Sequence, residues 1–319
     1  MAKAYEGGVP LVEVVRSGFT ESVHRGSVVV IDASGDILAA AGDVHGPMFP
    51  RSTNKPIQTI GMLRSGLRLA DPADLALVSA SHSGEDFHIA RVRALLRSVG
   101  LDETFLRCPP DLPLGEAAKA ALYAAGGGRA RVLMNCSGKH AGMLLTCREA
   151  GWPLEEYYDP EHPLQERILL AFEEFTGQSP VATGVDGCGA PVLAAPLTAL
   201  AGAYLRIVSG EPGSVERRVA DAMRAYPELV AGTGAEDTVL MSRVPGLLCK
   251  SGAEAVMAAA VPGVGAVAVK IDDGGMRART PVLVAGLRRL GLDAPVLAER
   301  AQTALLGGAA PVGAIRTIW

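Results

Sequence analysis

Apolar residues at the start of the chain occur in short blocks of strand length. Residues 9–15 are rich in valine and leucine, and residues 27–31 and 37–41 form two more apolar blocks. The DASGD stretch between the last two, at residues 32–36, is typical of a hairpin turn. The pattern therefore predicts strands over these blocks, followed by a Gly- and Pro-containing stretch that ends at Pro50.

Through the middle of the chain, apolar residues recur at helical spacing. In residues 57–67, for example, Ile57 and Ile60 can face a core. Pro56 is tolerated only in the first turn of a helix, so we expect this helix to begin at or just after Ser52. Further helices are predicted over residues 74–80, 87–99, 116–125, 164–176, 192–209 and 213–226, with another that ends at residue 150.

The strand pattern returns near the end of the chain. Residues 247–249, 254–260 and 265–271 are apolar blocks, and a Pro-Gly turn at 262–263 separates the last two. A final helix is predicted over residues 280–290. Because strands lie at both ends of the chain and helices between them, we expect the terminal segments to form one antiparallel sheet with a helical region packed beside it.

No internal repeat, linker or low-complexity segment divides the sequence. We therefore predict an α/β (α+β) fold in a single catalytic domain, residues 1–319. Within it, the sheet-containing part comprises about residues 1–66 and 245–319, and flanking and intervening helices occupy about residues 67–244.

Composition and charge exclude several classes of protein. The 319 residues are 49% hydrophobic and carry a net charge of −4, so we expect no basic surface for nucleic acid. Apolar runs such as residues 28–31 are far shorter than a membrane span, and the N-terminal residues lack the basic-then-apolar pattern of a secretory signal. Five widely spaced cysteines argue against a disulfide framework. We expect a cytoplasmic protein with no membrane partner.

The first candidate chemistry is the RSTNKP stretch at residues 51–56. At three-residue spacing in the first turn of a helix, the Ser52 hydroxyl and the Lys55 amine lie on the same face and can touch. A serine hydroxyl is a poor nucleophile at neutral pH, but a neutral amine within hydrogen-bond reach can activate it. The amine must itself be deprotonated, which requires burial or a nearby cation to lower its pKa.

Two further motifs follow in order, SHS at residues 81–83 and KSG at residues 250–252. This order resembles that of the penicillin-recognising serine enzymes, whose motifs are S-x-x-K, S-x-N and K-T-G. Ser83 stands where that group has asparagine, which weakens the interpretation as a β-lactamase or transpeptidase. A penicillin-interacting or esterase-type serine hydrolase is therefore an alternative function.

Longer strings point to a narrower family. The chain resembles the asparaginase II family, the rhizobial-type L-asparaginases, in RS…KP at 51–56, ASHSGE at 80–85, NCSGKHAGM at 135–143, GVDGCG at 184–189, PELVAGTG at 227–234, KSGAE at 250–254 and KIDDG at 270–274. The resemblance implies a serine β-lactamase-like fold, hydrolysis of L-asparagine to L-aspartate and ammonia in asparagine catabolism, and a homodimer.

The same resemblance implies a set of site residues. The family's paired serines and lysines match Ser52 with Lys55, and Ser81 with Lys250. Its zinc site matches Cys136, Lys139 and Cys188, with Asp186 and His140 nearby.

Amide hydrolysis needs a nucleophile, a base, a site for the oxyanion and groups that hold the substrate. We expect Ser52 to attack the side-chain amide carbon and neutral Lys55 to take its proton. Lys250, if close, would help to keep Lys55 deprotonated by like-charge repulsion. We choose Ser52 as the nucleophile because its lysine lies one turn away, and Ser81 as a proton relay.

Further groups are assigned to the oxyanion and the substrate. The Ser52 N–H and an N–H of residues 251–252 are the predicted oxyanion donors. Arg51 suits the α-carboxylate because its planar guanidinium can pair with both oxygens, and Asp186 can bind the α-ammonium group. Ser83, His140 and Gly252 complete the predicted substrate contacts.

Ordinary structural roles compete with these assignments. Free cysteines are usually small buried apolar residues, and the serines of the SHS motif can be turn or helix-cap residues. By ligand chemistry alone, zinc would take Cys136, His140 and Cys188, because neutral lysine is a rare ligand. We follow the resemblance and predict Lys139 instead. The remaining candidates, predicted to be ordinary structural residues, are His82, His88, His162 and residues 270–273.

The leading hypothesis is an L-asparaginase, an amidohydrolase with serine–lysine chemistry and a zinc site. Besides the serine hydrolase named above, the chain could be an amino-acid-binding protein of the same fold without catalysis. Ammonia release from asparagine separates the first hypothesis from the other two. Acylation by a penicillin would favour the serine hydrolase.

Overall fold

The computed structural model describes residues 4–319, which form two compact units. The sheet unit comprises the described part of Met1–Thr53 together with Ala194–Ser209 and Val239–Trp319. The helical unit comprises Asn54–Leu193 and Gly210–Thr238. The sheet unit therefore stops at residue 53 rather than near residue 66, and the single catalytic domain stays a prediction.

Strands and helices alternate irregularly along the chain. The strands are β1 Val9–Arg16, β2 Phe19–Asp32, β3 Ile37–Ala41, β4 Pro47–Met48, β5 Thr183–Val185, β6 Pro191–Leu193, β7 Ala195–Pro196, β8 Leu248–Ser251, β9 Val256–Val261, β10 Gly265–Ile271, β11 Gln302–Gly307 and β12 Ala310–Thr317. The helices are α1 Lys55–Arg64, α2 Pro72–Val78, α3 Asp86–Ser98, α4 Glu116–Ala124, α5 Ser137–Ala150, α6 Pro163–Thr176, α7 Leu197–Ser209, α8 Val215–Ala225, α9 Pro227–Val230, α10 Glu236–Arg243, α11 Met276–Arg289 and α12 Pro295–Glu299. In the described part of the chain, no helix is both long enough and apolar enough to cross a bilayer.

Within residues 4–319, one antiparallel sheet of eight strands forms the sheet unit. Its order is β11-β12-β1-β2-β10-β9-β8, and β3 also pairs with β2. The N-terminal strands are paired on one side with β12 and on the other with β10, in the register Val30 opposite Val267. This arrangement confirms the predicted antiparallel sheet built from both ends of the chain.

The centre of the sheet is buried on both faces. Successive residues of a strand point to opposite faces, and every residue of β9 is buried. Helices α7 and α11 both pack against β9 and β10. The small residues of this region allow close packing, since a Cβ at Gly286 would lie 2.6 Å from Val267 Cγ1. The sheet is therefore a rigid support for the residues at the end of β8.

Three details of the sheet unit differ from the predicted elements. Strand β2 already begins at Phe19, because its exposed first half pairs with β1 and carries little apolar pattern. The hairpin of β11 and β12 was not predicted, since most of its residues are exposed. Helix α7 begins at Leu197 rather than 192, because the residues before it form β6 and β7.

In the helical unit, α1 packs against α2, α5, α6 and α8, and its residues from Lys55 to Met62 are all buried. Glycines bring α5 close to α2: a Cβ at Gly138 would lie 2.5 Å from Leu77 O, and one at Gly142 would lie 2.5 Å from Val78 Cγ1. These contacts fix α5 against the helix that leads into residue 81. The candidate residues on α1, on α5 and after α2 are thereby held in one core.

Candidate active site

The predicted site residues divide between the two units. Arg51, Ser52, Lys250 and Gly252 belong to the sheet unit. Lys55, Ser81, Ser83, Cys136, Lys139, His140, Asp186 and Cys188 belong to the helical unit. The boundary falls inside the Ser-x-x-Lys motif, so its serine and its lysine belong to different units.

Ser52 lies in a 3₁₀ turn, Arg51–Asn54, directly before α1. Arg51 has a φ of +52°, a left-handed conformation that residues with a side chain rarely adopt. Thr53 anchors the turn, because its N–H and its hydroxyl both donate to Pro50 O, at 3.2 and 2.7 Å. Backbone strain of this kind is concentrated at functional sites, where surrounding contacts maintain it.

The end of β8 packs against this turn within the sheet unit. A Cβ at Gly252 would lie 3.0 Å from Pro50 O and 3.1 Å from Ser52 N, so the close approach requires glycine. Of the two N–H groups at residues 251–252 that were predicted as the second oxyanion donor, that of Gly252 donates to Val256 O at 2.8 Å. Gly252 O accepts from Arg279 Nη1 at 3.1 Å. Gly252 therefore positions the Ser52 turn through its backbone.

Lys250 precedes Gly252 on the same strand. Its side chain is fully buried, and Nζ donates to Ser251 O at 2.7 Å. The KSG motif thus brings a buried amine and a glycine to the edge strand of the sheet. Lys250 and Gly252 belong to the same unit as Ser52.

The turn after Gly252 is also strained. Glu254 and Ala255 have φ values of +55° and +51°. Lys270 supports this turn by donating to Glu254 O at 2.7 Å and to Ile271 O at 2.6 Å, and burial lowers the pKa of its amine. Arg51 Nη1 lies 3.7 Å from Glu254 Oε1. A substrate carboxylate at Arg51 would therefore have to compete with a carboxylate of the protein itself.

The Gly252→Ala variant tests this packing. We expect its free energy of unfolding to fall by about 1–3 kcal/mol, because the new Cβ meets backbone atoms that cannot move aside. Gly202→Ala is the matched control, since Gly202 lies on α7 with nothing within 4 Å of its Cβ position. Denaturant unfolding of the two variants measures the difference. Equal stability in both would show that the turn tolerates a side chain at residue 252.

In the helical unit, Lys55 opens α1 and is 1% exposed. Its Nζ donates to Ala80 O and to Ser81 Oγ, the latter at 2.8 Å. A buried amine is thus in direct hydrogen-bond contact with a serine hydroxyl, the geometry that proton transfer between them requires. The structure brings Lys55 to the serine of the second motif, 26 residues away along the chain.

The segment after Ser81 is tied to residues 230–233. Ser81 N–H donates to Val230 O at 2.9 Å. Ser83 Oγ donates to Glu85 Oε1 at 2.6 Å, and Thr233 donates to the same carboxylate through its N–H and its hydroxyl, both at 2.8 Å. Burial raises the pKa of Glu85, but the hydrogen bonds from Ser83 and Thr233 outweigh it and hold the pKa below its usual value.

His82 is a fully buried histidine in the same segment. Ser137 Oγ donates to Val132 O at 2.8 Å, so the 2.9 Å hydrogen bond between His82 Nε2 and Ser137 Oγ has the ring as its donor. His82 Nδ1 then carries no proton, and it has no hydrogen-bond partner among the described residues. Burial, together with nearby His88 and Lys55, holds the pKa of His82 well below its usual value. The ring is neutral.

Cys136, Lys139 and Cys188 meet in the core of the helical unit. Lys139 Nζ donates to Cys188 Sγ at 3.1 Å, and Asp186 Oδ2 lies 3.7 Å from the same sulfur. A hydrogen bond from Cys136 holds the pKa of Cys188 well below its usual value, and the same bond and burial raise that of Cys136. Burial alone would lower the pKa of Lys139, but Cys188, Cys136 and Asp186 raise it. The electrostatics of the group thus favour the charged form of Lys139 and the deprotonated form of Cys188 over that of Cys136.

His140 faces the same group from α5. Tyr157 OH accepts from Arg107 N–H at 2.9 Å and donates to His140 Nδ1 at 2.7 Å. The ring proton is therefore on Nε2, which is buried and lacks a hydrogen bond of ordinary geometry within residues 4–319. Burial lowers the pKa of His140, and Cys188 offsets this only in part.

The two candidate sets of zinc ligands share Cys136 and Cys188 and differ in whether His140 or Lys139 is the third ligand. Among the described residues, no three His, Cys, Asp or Glu side chains are placed to hold a metal ion together. Both His140 and Lys139 lie near Cys188. Lys139 Nζ donates to the Cys188 sulfur at 3.1 Å, and His140 and Cys136 both influence the pKa of Cys188.

Several residues of the site were not singled out from the sequence. Glu85 and Thr233 hold the Ser81 segment, and Lys270 and Arg279 hold the turn after β8. Glu85, Thr233 and Lys270 lie inside the strings ASHSGE, PELVAGTG and KIDDG. Membership in these strings was therefore the sequence signal that could have found them. Arg279 lies in none of them.

Comparisons with known proteins extend these observations. A family model described as L-asparaginase II matches residues 12–317. The search of curated proteins found no match. Among solved structures, the chain is similar to Mglu in its native form, with a TM-score of 0.43 and 15% identity over 83% of this chain. It spans only 63% of the length of that protein.

Two other solved structures show likeness at a similar level. One is a beta-lactamase from Mycobacterium bovis, with a TM-score of 0.45 and 18% identity over 84% of this chain and 95% of that chain. The other is the Bacillus subtilis glutaminase YbgJ in covalent complex with 5-oxo-L-norleucine, with a TM-score of 0.37 and 15% identity over 84% of this chain and 88% of that chain. These TM-scores are too low to bear on chemistry.

Unlike the likeness to solved structures, the family match is a sequence match that covers nearly the whole chain. It includes most of the sheet unit, all of the helical unit, and every candidate residue described above. It also agrees with the resemblance found in the sequence strings. The chain therefore belongs to the L-asparaginase II family, a family of amidohydrolases.

Proposed function

We propose that this protein is an L-asparaginase that hydrolyses the side-chain amide of L-asparagine to L-aspartate and ammonia. The observation that carries the proposal is the 2.8 Å hydrogen bond between the buried Lys55 amine and the Ser81 hydroxyl. A lysine in direct contact with a serine can take and return a proton at neutral pH without a histidine. The family membership makes an amide the expected substrate bond.

In the proposed reaction, Ser52 Oγ attacks the amide carbon and Lys55 takes the hydroxyl proton. The Ser52 N–H, at the start of α1, stabilises the negative charge that develops on the amide oxygen. The carbon–nitrogen bond then breaks, and the leaving nitrogen receives a proton from Lys55 by way of Ser81. Water hydrolyses the β-aspartyl ester on Ser52 by the same proton path, which releases L-aspartate and restores the serine.

Charged side chains hold the substrate in this proposal. Arg51 binds the α-carboxylate in exchange for Glu254, its partner at 3.7 Å. Asp186 binds the α-ammonium group. Ser83 can only accept hydrogen bonds from the substrate, because its own proton is donated to Glu85. His140 is a further substrate contact in this proposal, and Cys188 is the neighbour that its ring would exchange for the substrate.

A zinc ion belongs to this proposal as a bound cofactor. Cys136, Lys139 and Cys188 would hold it, since two sulfurs and an amine already converge in a buried place. When bound, zinc supplies a Lewis-acid charge that can orient or polarise a substrate group. Lys139 has to give up its ammonium proton, although Cys188, Cys136 and Asp186 raise its pKa, because a metal ligand must be deprotonated.

Elemental analysis tests the zinc proposal independently of activity. We expect the purified wild-type protein, dialysed against zinc and then buffer, to retain up to one zinc per chain, and Cys136→Ala to lose it. Cys147→Ala is the control, because Cys147 is another buried free cysteine on α5. Wild-type protein without zinc, or Cys136→Ala with the wild-type zinc content, would contradict the assignment.

Ammonia release tests the function itself. The wild-type protein is incubated with L-asparagine, L-glutamine or a penicillin, with and without a chelator. We expect ammonia from L-asparagine. Acylation by the penicillin without ammonia from either amino acid would indicate the serine hydrolase, and binding of L-asparagine without turnover would indicate an amino-acid-binding protein.

A further inference from the structure

The mechanism above uses Ser81 and Ser83 of the string ASHSGE at residues 80–85, but it gives no role to Glu85 or to the string PELVAGTG at residues 227–234. In the helical unit the two strings lie side by side. The Ser81 N–H donates to Val230 O at 2.9 Å, so the backbone of the relay serine rests directly on the second string. Whatever fixes one string against the other therefore also fixes Ser81.

The carboxylate of Glu85 makes that connection. Its Oε1 accepts from Ser83 Oγ at 2.6 Å and from Thr233 N–H at 2.8 Å, and its Oε2 accepts from Thr233 Oγ1 at 2.8 Å. Glu85 thus binds a neighbour in its own string and a residue 148 positions further along the chain. Hydrogen bonds to a charged acceptor are among the stronger ones in proteins.

The geometry around this carboxylate leaves little room for change. A Cβ at Gly232, whose φ is +128°, would lie 2.1 Å from Ser83 Oγ, so the strings can approach this closely only at a glycine. On the other side, Glu85 begins α3, because its carbonyl accepts from His88 N–H at 2.9 Å and from Ile89 N–H at 3.2 Å. The carboxylate therefore extends from a fixed helix end.

We propose that Glu85 is a positioning residue for proton transfer: by binding Ser83 and Thr233 together, it holds Ser81 at hydrogen-bond distance from Lys55. Ser81 is then held through two atoms, its N–H by Val230 and its Oγ by Lys55. The expected loss of kcat rests on the proposed function. The effect on the position of Ser81 rests on geometry alone. Glu85 itself contacts no reacting atom.

Kinetics of three variants test the catalytic consequence. We expect Glu85→Ala to lower kcat by about 10²-fold with KM within about threefold, because small misplacements of reacting groups have effects of that size. Glu85→Gln keeps an acceptor of the same shape and should retain activity within about fivefold of the wild type. Glu103→Ala, which removes an exposed carboxylate paired with Arg93, is the control and should be unchanged.

Thr233→Val is the second variant in case Glu85→Ala does not fold. It removes the hydroxyl donor at 2.8 Å and leaves the backbone donor, so we expect a loss in kcat of about tenfold. Melting temperatures of all variants are measured in parallel. A lower melting temperature with unchanged kcat in Glu85→Ala or Thr233→Val would mean that Glu85 only stabilises the fold, and would overturn the proposal.

Amide hydrogen exchange gives a readout that needs no substrate. The Ser81 N–H is bonded to Val230 O and the Thr233 N–H to Glu85 Oε1. Both should therefore exchange at least about tenfold faster in Glu85→Ala than in the wild type. In Glu85→Gln their exchange rates should equal those of the wild type. If the wild type releases no ammonia from L-asparagine, the proposed function fails while this measurement still decides the positioning. Unchanged exchange in Glu85→Ala would overturn it.

Discussion

Lys55→Met is expected to lower kcat/KM for L-asparagine by more than about 10³-fold, since it removes the base that activates the nucleophile and the donor to Ser81. Methionine has a similar length and is tolerated in a buried position, so the variant should fold. Its loss of the hydrogen bonds to Ala80 O and Ser81 Oγ should cost about 1–3 kcal/mol of stability. Steady-state ammonia release and thermal unfolding measure the two effects separately.

Lys119→Met is the control for this result. Lys119 lies on α4 and pairs with the exposed Glu116 at 2.8 Å, so its loss removes a lysine charge without touching the site. Its activity should equal that of the wild type. A folded Lys55→Met protein with activity within about tenfold of the wild type would show that Lys55 is not the base.

The second prediction with a large expected effect distinguishes the role of Ser52 from that of Ser81. Ser52→Ala should lower kcat by more than about 10⁴-fold, because only binding and the oxyanion site then remain. Ser81→Ala should lower it by about 10²–10⁴-fold, the range for loss of a proton relay. The variants are compared by single-turnover ammonia release at saturating L-asparagine, with Ser65→Ala, at the opposite end of α1, as a control.

The hydrogen bond from Lys55 to Ser81 makes this comparison necessary. It shows that the buried amine reaches the second serine, whereas the choice of Ser52 as nucleophile rests on its three-residue spacing from Lys55 and on the strained turn after Arg51. If Ser81→Ala is the more damaging change, the roles of the two serines are reversed.

The sheet could be predicted from the sequence because its central strands carry an unbroken apolar signal. Strands β9 and β10 are almost entirely buried, and burial on both faces selects continuous apolar runs. The hairpin of β11 and β12 could not be predicted in the same way. It is largely exposed, and its pairing with β1 depends on a partner near the other end of the chain.

Of the candidate site, the sequence could predict only residues that lie within short motifs. Residue type and spacing pointed to Ser52 and Lys55, whereas Cys136 and Cys188 became candidates only through the resemblance of the longer strings. The contact of Thr233 with Glu85 joins residues 148 positions apart, and no local pattern encodes such a pair. Ligand chemistry alone favoured His140 over Lys139 as a zinc ligand. It could not foresee that Tyr157 would hydrogen-bond to the histidine ring or that the Lys139 amine would lie against the Cys188 sulfur.

The strain at Arg51 likewise has no local signal. Left-handed conformations are typically assigned to glycine or asparagine, yet Arg51, Glu254 and Ala255 all adopt them. Contacts from Thr53 and Lys270 maintain these conformations, and such contacts exist only in the folded chain. Sequence reasoning could place the nucleophile near a helix start, but not on a strained turn.

The most direct measurement is mass spectrometry of the wild-type protein after rapid acid quench with L-asparagine. The proposed reaction predicts a chain heavier by one aspartyl group within the first turnovers, with the adduct mapped to the peptide that contains Ser52 and absent from Ser52→Ala. An adduct on the Ser81 peptide would reverse the assignment of the nucleophile. Ammonia released at the full rate with no adduct on any serine would contradict covalent serine–lysine catalysis in this protein.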